Sequence, residues 1–232
     1  MKSKIKDVRA KLYTWKGPIQ KIHDNFCTSA ADLLNKENIN ADGMSTFKFL
    51  SWLVVEVETT DGHIGLGNAA LSPKPCKSVV DNYLKPAIIG EDIWDYEHIW
   101  QKMYRQTLAW GRKGVGMTAI SAVDIAIWDA LGKDKKVPLH ELLGKKKKNQ
   151  FSAYASLFRY SNSNLVEKKC QEAIDRGFQI IKLHEIEEEY ISSARNFLGP
   201  DFKLMTDFNC SWTIDKIIDK KNFFKKVYLF WF

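Results

Sequence analysis

The sequence is short of the features that most quickly assign a function. It has 6 Arg against 29 Lys, so the planar fork that grips phosphates is scarce despite a formal net charge of +7. The lysines are scattered, and the one dense run is Lys145-Lys146-Lys147-Lys148. No stripe of aromatics and arginines accompanies it. A solvated lysine surface is the expected reading, and a nucleic-acid partner is set aside. The chain has no CxxC. Its four cysteines, Cys27, Cys76, Cys170 and Cys210, lie far apart without zinc-ligand spacing. Reduced thiols in a cytoplasmic protein follow as the expectation. The first residues, Met1 to Asp7, lack an apolar signal core. No apolar run is read as approaching the roughly 18 residues of a membrane span, so no membrane partner is expected.

What is present is the composition of a soluble chain able to bury a core, 45% hydrophobic and 27% charged. Two rhythms divide it. Residues 49–60 are rich in Val, Leu and Trp, Asp61-Gly62 makes a turn, and His63 to Gly67 starts a return strand. Residues 4–15 read as a third strand through Ile5, Val8, Leu12 and Tyr13. Helical spacing follows over 75–87 and 92–107, and strands followed by helices argue for a small α+β domain. Residues 16–48 lack periodicity and read as a long loop, with a lid as the functional alternative to disorder. Ile120, Val123, Ile127 and Leu131 share a helical face, with Ala119, Ala122 and Ala126 allowing close packing. Asp124 on that buried helix is expected to cap or pair with a neighbour, since a lone buried carboxylate is costly.

From about residue 150 the pattern becomes a βα repeat. Strands are expected at 152–157, 180–184, 203–208 and 227–232. Their centres, near Ala155, Ile181, Met205 and Leu229, are 26, 24 and 24 residues apart. A helix starts at Asn164, with Glu167 three residues on, and ends at Gly177. An acidic helical stretch runs from Glu185 to Leu198. Such spacing means parallel strands with helical crossovers, in a (β/α)₈ barrel or an open doubly wound sheet. No glycine-rich fingerprint follows any strand, which weighs against dinucleotide binding.

Lys182 and His184 are two apart and share a strand face, as do Asp207 and Asn209 on the next strand. Barrel active sites gather at such strand ends. A lysine and histidine beside an aspartate and asparagine form a base-plus-metal constellation. Oxygen donors suit Mg²⁺, and a lysine near a divalent cation can serve as a base. The plainer alternative is a set of strand-end polar groups bonded to loops.

Four stretches carry a resemblance. They are the strand pair Leu53-Val54-Val55-Glu56-Val57 with Gly62 to Gly67, the helix Ala119 to Lys133, the segment Pro138-Leu139-His140-Glu141-Leu142-Leu143-Gly144, and Leu204-Met205-Thr206-Asp207-Phe208-Asn209 through Trp212-Thr213. Together they resemble the enolase superfamily, in its mandelate racemase and muconate lactonizing enzyme branch. The resemblance implies an N-terminal α+β capping domain over residues 1–135. Residues 136–232 then form an incomplete C-terminal (β/α)₈ (TIM-like) barrel of about four βα strands. It implies Mg²⁺-dependent abstraction of a proton α to a carboxylate. By resemblance Lys182 and His184 are catalytic, Asp207 is a metal ligand, and Asn209 binds a small-molecule sugar-acid substrate.

The family's Lys-x-Lys pair is Lys182-x-His184 here. Sugar-acid dehydratases vary at this pair, so a dehydratase (a lyase) is expected, with a racemase or epimerase (an isomerase) as the alternative. The second departure is length. A whole barrel takes about 250 residues, and 83 remain from residue 150. The family's Glu-Glu-Pro segment and third metal ligand are absent, leaving one ligand of three. The resemblance therefore implies a truncated member, inactive alone or a non-catalytic remnant, with a homo-oligomer or a complementing chain as its protein partner.

Overall fold

The computed structural model describes residues 3–14, 51–70, 72–144, 146–209 and 211–231. The chain divides into two compact units. The long 16–48 loop lies outside the described residues.

The first unit holds an antiparallel sheet in the order β1-β2-β3, formed by β1 (Ile5–Thr14), β2 (Ser51–Thr59) and β3 (Ile64–Ala69). Leu53, Val55 and Val57 alternate inward along β2, the period of two that a one-sided sheet demands. Gly62, at φ +86°, closes the hairpin by donating its N–H to the Thr59 carbonyl at 3.0 Å. This expected hairpin is present. The first expected helix runs from Pro73 to Ile88 as α1 (Pro73–Val79), a π-helical turn (Val80–Leu84) and α2 (Lys85–Ile88). The second, α3 (Tyr96–Thr107), starts later than 92 because Asp92–Asp95 forms a turn.

The helix α4 (Val115–Lys135) fills the core of this unit. It corrects the reading of apolar runs, because it is long and apolar enough to cross a membrane. Its Ala119, Ile120, Ala122, Val123, Ala126 and Ile127 are instead buried in the core that it forms with the sheet and the neighbouring helices. The approach is close enough to require glycine. A Cβ on Gly65 would lie 1.8 Å from the Ala126 carbonyl oxygen, and one on Gly67 1.9 Å from that of Ala122. α4 also finishes the free edge of β3. Asp129 Oδ2 accepts from the Leu66 N–H at 2.8 Å, and Lys133 Nζ donates to the Ile64 carbonyl at 2.7 Å. Backbone groups that would otherwise await another strand are thereby satisfied.

Asp124 departs from expectation. It has no cap or ion-pair partner among the described residues, and burial raises its pKa. The helix α5 (Leu139–Leu143) follows, with Leu142 packed on this first core. The division between units therefore falls at Asn149/Gln150, whereas a boundary at 135/136 would separate α5 from the core it covers.

The second unit holds a parallel sheet in the order β4-β5-β6, formed by β4 (Ala155–Ser156), β5 (Ile180–Leu183) and β6 (Lys203–Thr206). The crossovers are α6 (Ser163–Asp175) and α7 (Glu188–Leu198). The parallel sense matches the expectation, but each strand is shorter than 152–157, 180–184 and 203–208. The fourth expected strand, 227–232, is reduced to a parallel bridge between Met205 and Trp231, because α8 (Ile214–Asp219) and α9 (Lys221–Val227) carry helix through Val227. The start of α6 also moves. Asn162, not Asn164, is the N-cap, its side chain accepting from the Leu165 N–H at 2.9 Å.

Arg195 on α7 is buried and spends its donors on carbonyls. Nε donates to Val227 at 2.7 Å, one terminal nitrogen to Gly199 at 2.7 Å and Phe202 at 2.8 Å, and the other to Tyr228 at 2.8 Å. These carbonyls lie at the C-terminal ends of α7 and α9 and in the turn before β6, and a guanidinium has the fork to satisfy several at once.

Candidate functional site

The pleat of β5 turns Ile181 and Leu183 into the core, which sends Lys182 and His184 to the other face. The parallel register aligns Lys182 with Met205 and Leu183 with Thr206. Asp207, the next residue, donates its N–H to the Leu183 carbonyl at 2.9 Å, so its side chain emerges beside Lys182. Asn209 sits at φ +45°, a left-handed conformation that asparagine tolerates better than most residues. Its N–H donates to Asp207 Oδ1 at 3.0 Å.

All four residues proposed from sequence come together. Lys182 Nζ donates to Asp207 Oδ2 at 3.0 Å. His184 Nε2 stands 4.0 Å from the same oxygen, and Asn209 Nδ2 is 3.3 Å from His184 Nδ1. Lys182 also lies over the Tyr154 ring, 5.7 Å from its centroid. Burial, then the Lys182 charge, lowers the His184 pKa, with Asp207 opposing. Burial pushes Asp207 upward, but hydrogen bonds from Lys182 and the Asn209 N–H outweigh it, and its pKa is lowered. The result is a lysine–carboxylate pair beside an imidazole that favours its neutral form.

Glu185 was misread as the start of an acidic helix. The helix begins at Glu188, and Glu185 is fully buried at the end of β5. Its carboxylate accepts from the N–H of Tyr160 at 2.6 Å and of Ser161 at 3.2 Å. Its backbone carbonyl accepts from Thr206 Oγ1 at 3.1 Å. It thus holds the turn after β4, where Ser161 has φ +51°, against the ends of β5 and β6. The one clue in sequence was its place directly after His184. The run Glu187-Glu188-Glu189 masked it as another solvated charge. A cavity of about 570 Å³ lies along this turn, lined by Arg159, Ser161 and Glu187 to Tyr190, and none of the four site residues lines it.

Metal-holding capacity is limited. Among the described residues no group of three His, Cys, Asp or Glu side chains is placed to hold an ion. Asp207 is the one carboxylate bonded within the four-residue cluster, and both its oxygens already accept hydrogen bonds. Cys76 and Cys170 are buried and form no disulfide, and burial pushes their thiols up to about 11 and about 12.

Known proteins share this plan. Residues 37–144 match the family described as mandelate racemase / muconate lactonizing enzyme, N-terminal domain. The chain is 31% identical over 191 residues to arabinonate dehydratase of Saccharolobus solfataricus, covering 78% of this chain and 51% of that protein. It is 34% identical over 171 residues to L-rhamnonate dehydratase of Saccharopolyspora erythraea, covering 72% and 42%. A solved racemase from Streptomyces coelicolor A3(2) with bound magnesium superposes with a TM-score of 0.79 at 26% identity, covering 98% of this chain and 61% of that one. The chain spans about half the length of the curated relatives it matches.

Proposed function

This chain belongs to the enolase superfamily, in its mandelate racemase/muconate lactonizing enzyme branch, and from that premise we propose that its second unit is the opening part of a (β/α)₈ barrel built for sugar-acid dehydration. The observation that carries the reading is the meeting of Lys182, His184, Asp207 and Asn209 at the C-terminal ends of β5 and β6. Barrel enzymes assemble their chemistry at that end of the strands. The names of the two dehydratase relatives favour dehydration over racemisation.

In this reading the Lys182 ammonium, oriented by Asp207, supplies fixed positive charge to the substrate carboxylate. Charge held in place before the reaction stabilises an enediolate as it forms. His184, favouring its neutral form, takes the α proton or returns one to the departing β-hydroxyl. Asn209 holds the imidazole and contacts the substrate. Mg²⁺ is the branch's expected cofactor, and its role would be to add charge at the carboxylate. The four-residue cluster does not fit a self-contained Mg²⁺ site, since it offers one carboxylate, already paired with Lys182.

The test has two arms on the purified chain. Arabinonate and L-rhamnonate should shift the His184 ring resonances in NMR titrations, and Lys182→Met should abolish the shift. Silence across a sugar-acid panel would sink the reading. Turnover with Mg²⁺, followed by 2-keto-3-deoxy product and by deuterium at the α carbon, is expected to be negligible. Robust turnover lost in Asp207→Ala would keep the function and overturn the judgement that these donors are insufficient.

A further inference from the structure

A second concave surface lies in the first unit, far in sequence from the four-residue cluster. It is a groove of about 820 Å³ between α3 and α4. Its floor is aromatic. Tyr96 and Trp128 lie with ring centroids 4.5 Å apart, and Trp100, one turn along α3 from Tyr96, stacks on Tyr104 at 5.2 Å. Tyr96, Trp100 and Trp128 are half-buried, packed on the core from below and open to the groove above. Asp124 precedes Trp128 by one helical turn, so its carboxylate emerges on the same face of α4.

Two features give the groove a sign. Asp124 is half-buried and has no hydrogen-bond or ion-pair partner among the described residues. A carboxylate in that position is costly unless a cation completes it. At the rim, Lys102 is already tied to Glu91 at 2.5 Å. That leaves Asp95, Glu97 and Asp124 lining the groove with the Arg105 guanidinium and the His98 imidazole. The raised pKa of Asp124 is what an uncompensated carboxylate shows. A bound cation would bring it back down.

We propose that the groove between α3 and α4 is a binding site for a guanidinium group, stacked on the Trp128 and Trp100 rings and paired with Asp124. A guanidinium matches both halves of this surface. Its flat face is weakly hydrated and stacks on indole, and its edge forks onto a carboxylate. An ammonium matches the carboxylate but loses more hydration over the rings. The group can be carried by a free guanidino compound or by an arginine side chain of another polypeptide.

The experiment follows the indole N–H signals of the 232-residue chain by NMR, with Trp128 and Trp100 assigned through Trp→Phe variants. The probes are methylguanidinium, a capped arginine amide, and N-methylurea as the uncharged isostere, at matched ionic strength. The expected result is a saturable shift of Trp128 with both cations and none with the urea. Asp124→Asn should weaken binding about tenfold or more, the worth of one charge-assisted contact. Equal affinity for the two cations identifies the free compound, and a tighter arginine amide identifies a polypeptide source. Should Asp124→Asn fail to fold, Trp100→Leu on the opposite wall is the second variant, with several-fold weakening expected. The proposal is overturned if no saturable shift occurs, if the urea shifts Trp128 equally, or if binding survives in the variant that folds.

Discussion

The two units solve the same problem, finishing a small sheet, by opposite means. In the first, the sheet is closed by approach. Gly65 and Gly67 let α4 lie backbone to backbone on β3, and Asp129 and Lys133 complete its outer edge. In the second, the strands are two to four residues long, too short to hold themselves together by ladders alone. Buried charged groups stand in. Arg195 collects the loose carbonyls at one side, and Glu185 collects the loose N–H groups after β4. The first unit is therefore intolerant of added volume, and the second of lost polarity.

The sharpest way to break the comparison is Gly67→Val. The new Cβ would meet the Ala122 carbonyl, and α4 would have to lift from the sheet. A loss of about 3 kcal/mol is expected, at the upper end of overpacking costs. Amide hydrogen exchange should show lost protection in β2, β3 and α4. Little change there would mean that the close approach is dispensable. Next is Arg195→Met, which keeps the side-chain volume but leaves the Val227 and Tyr228 carbonyls unmatched. About 2 kcal/mol should be lost, read as exchange in α7, β6 and α9. A neutral outcome would show that water serves these carbonyls as well as the guanidinium does.

A smaller effect is expected for Asp129→Ala, which frees the Leu66 N–H at a solvated edge. About 1 kcal/mol is at stake, measured by chemical denaturation. The smallest effect comes from the outer face of the first sheet. There Arg9 bonds Glu56 and Asp7, Lys11 bonds Glu56 and Lys85 bonds Asp7. The Lys85 hydrogen bond lowers the Asp7 pKa below 3.8, and the Lys11 and then Arg9 hydrogen bonds lower that of Glu56 below 4.5. Lowered carboxylates add stability that is whole above their unfolded values and lost as pH falls through the folded ones. A modest decline in stability below about pH 4 is expected, partly screened by salt because these half-buried pairs remain in reach of solvent. Arg9→Gln should flatten it, and an unchanged acid limb would show that the pairs contribute nothing.

The same contrast explains what was legible in the sequence. Periodicity carried the strands of the first unit and α4, because Leu53, Val55 and Val57 or Ile120, Val123 and Ile127 declare their faces locally. It also carried the pairing of Lys182 with His184, which needs only the alternation of one strand. The contributions of Gly65, Gly67, Glu185 and Arg195 were hidden, because each depends on a partner 20 or more residues away in the chain or on a neighbouring backbone. The cap of α6 slipped from Asn162 to Asn164 because both residues have the right chemistry, and only the backbone distinguishes them. Asp124 was expected to find a partner, and the fold instead leaves it facing a groove.

Arg195 also bears on the order in which the second unit can assemble. Its partners at Gly199 and Phe202 lie 4 and 7 residues away, whereas Val227 and Tyr228 lie 32 and 33 residues away. During synthesis the near pair is available almost at once, and the guanidinium must keep its remaining water until α9 has emerged. Closure of this unit is thus a late event gated by long-range contact. Destabilising α9 should then speed unfolding more than it slows the first collapse.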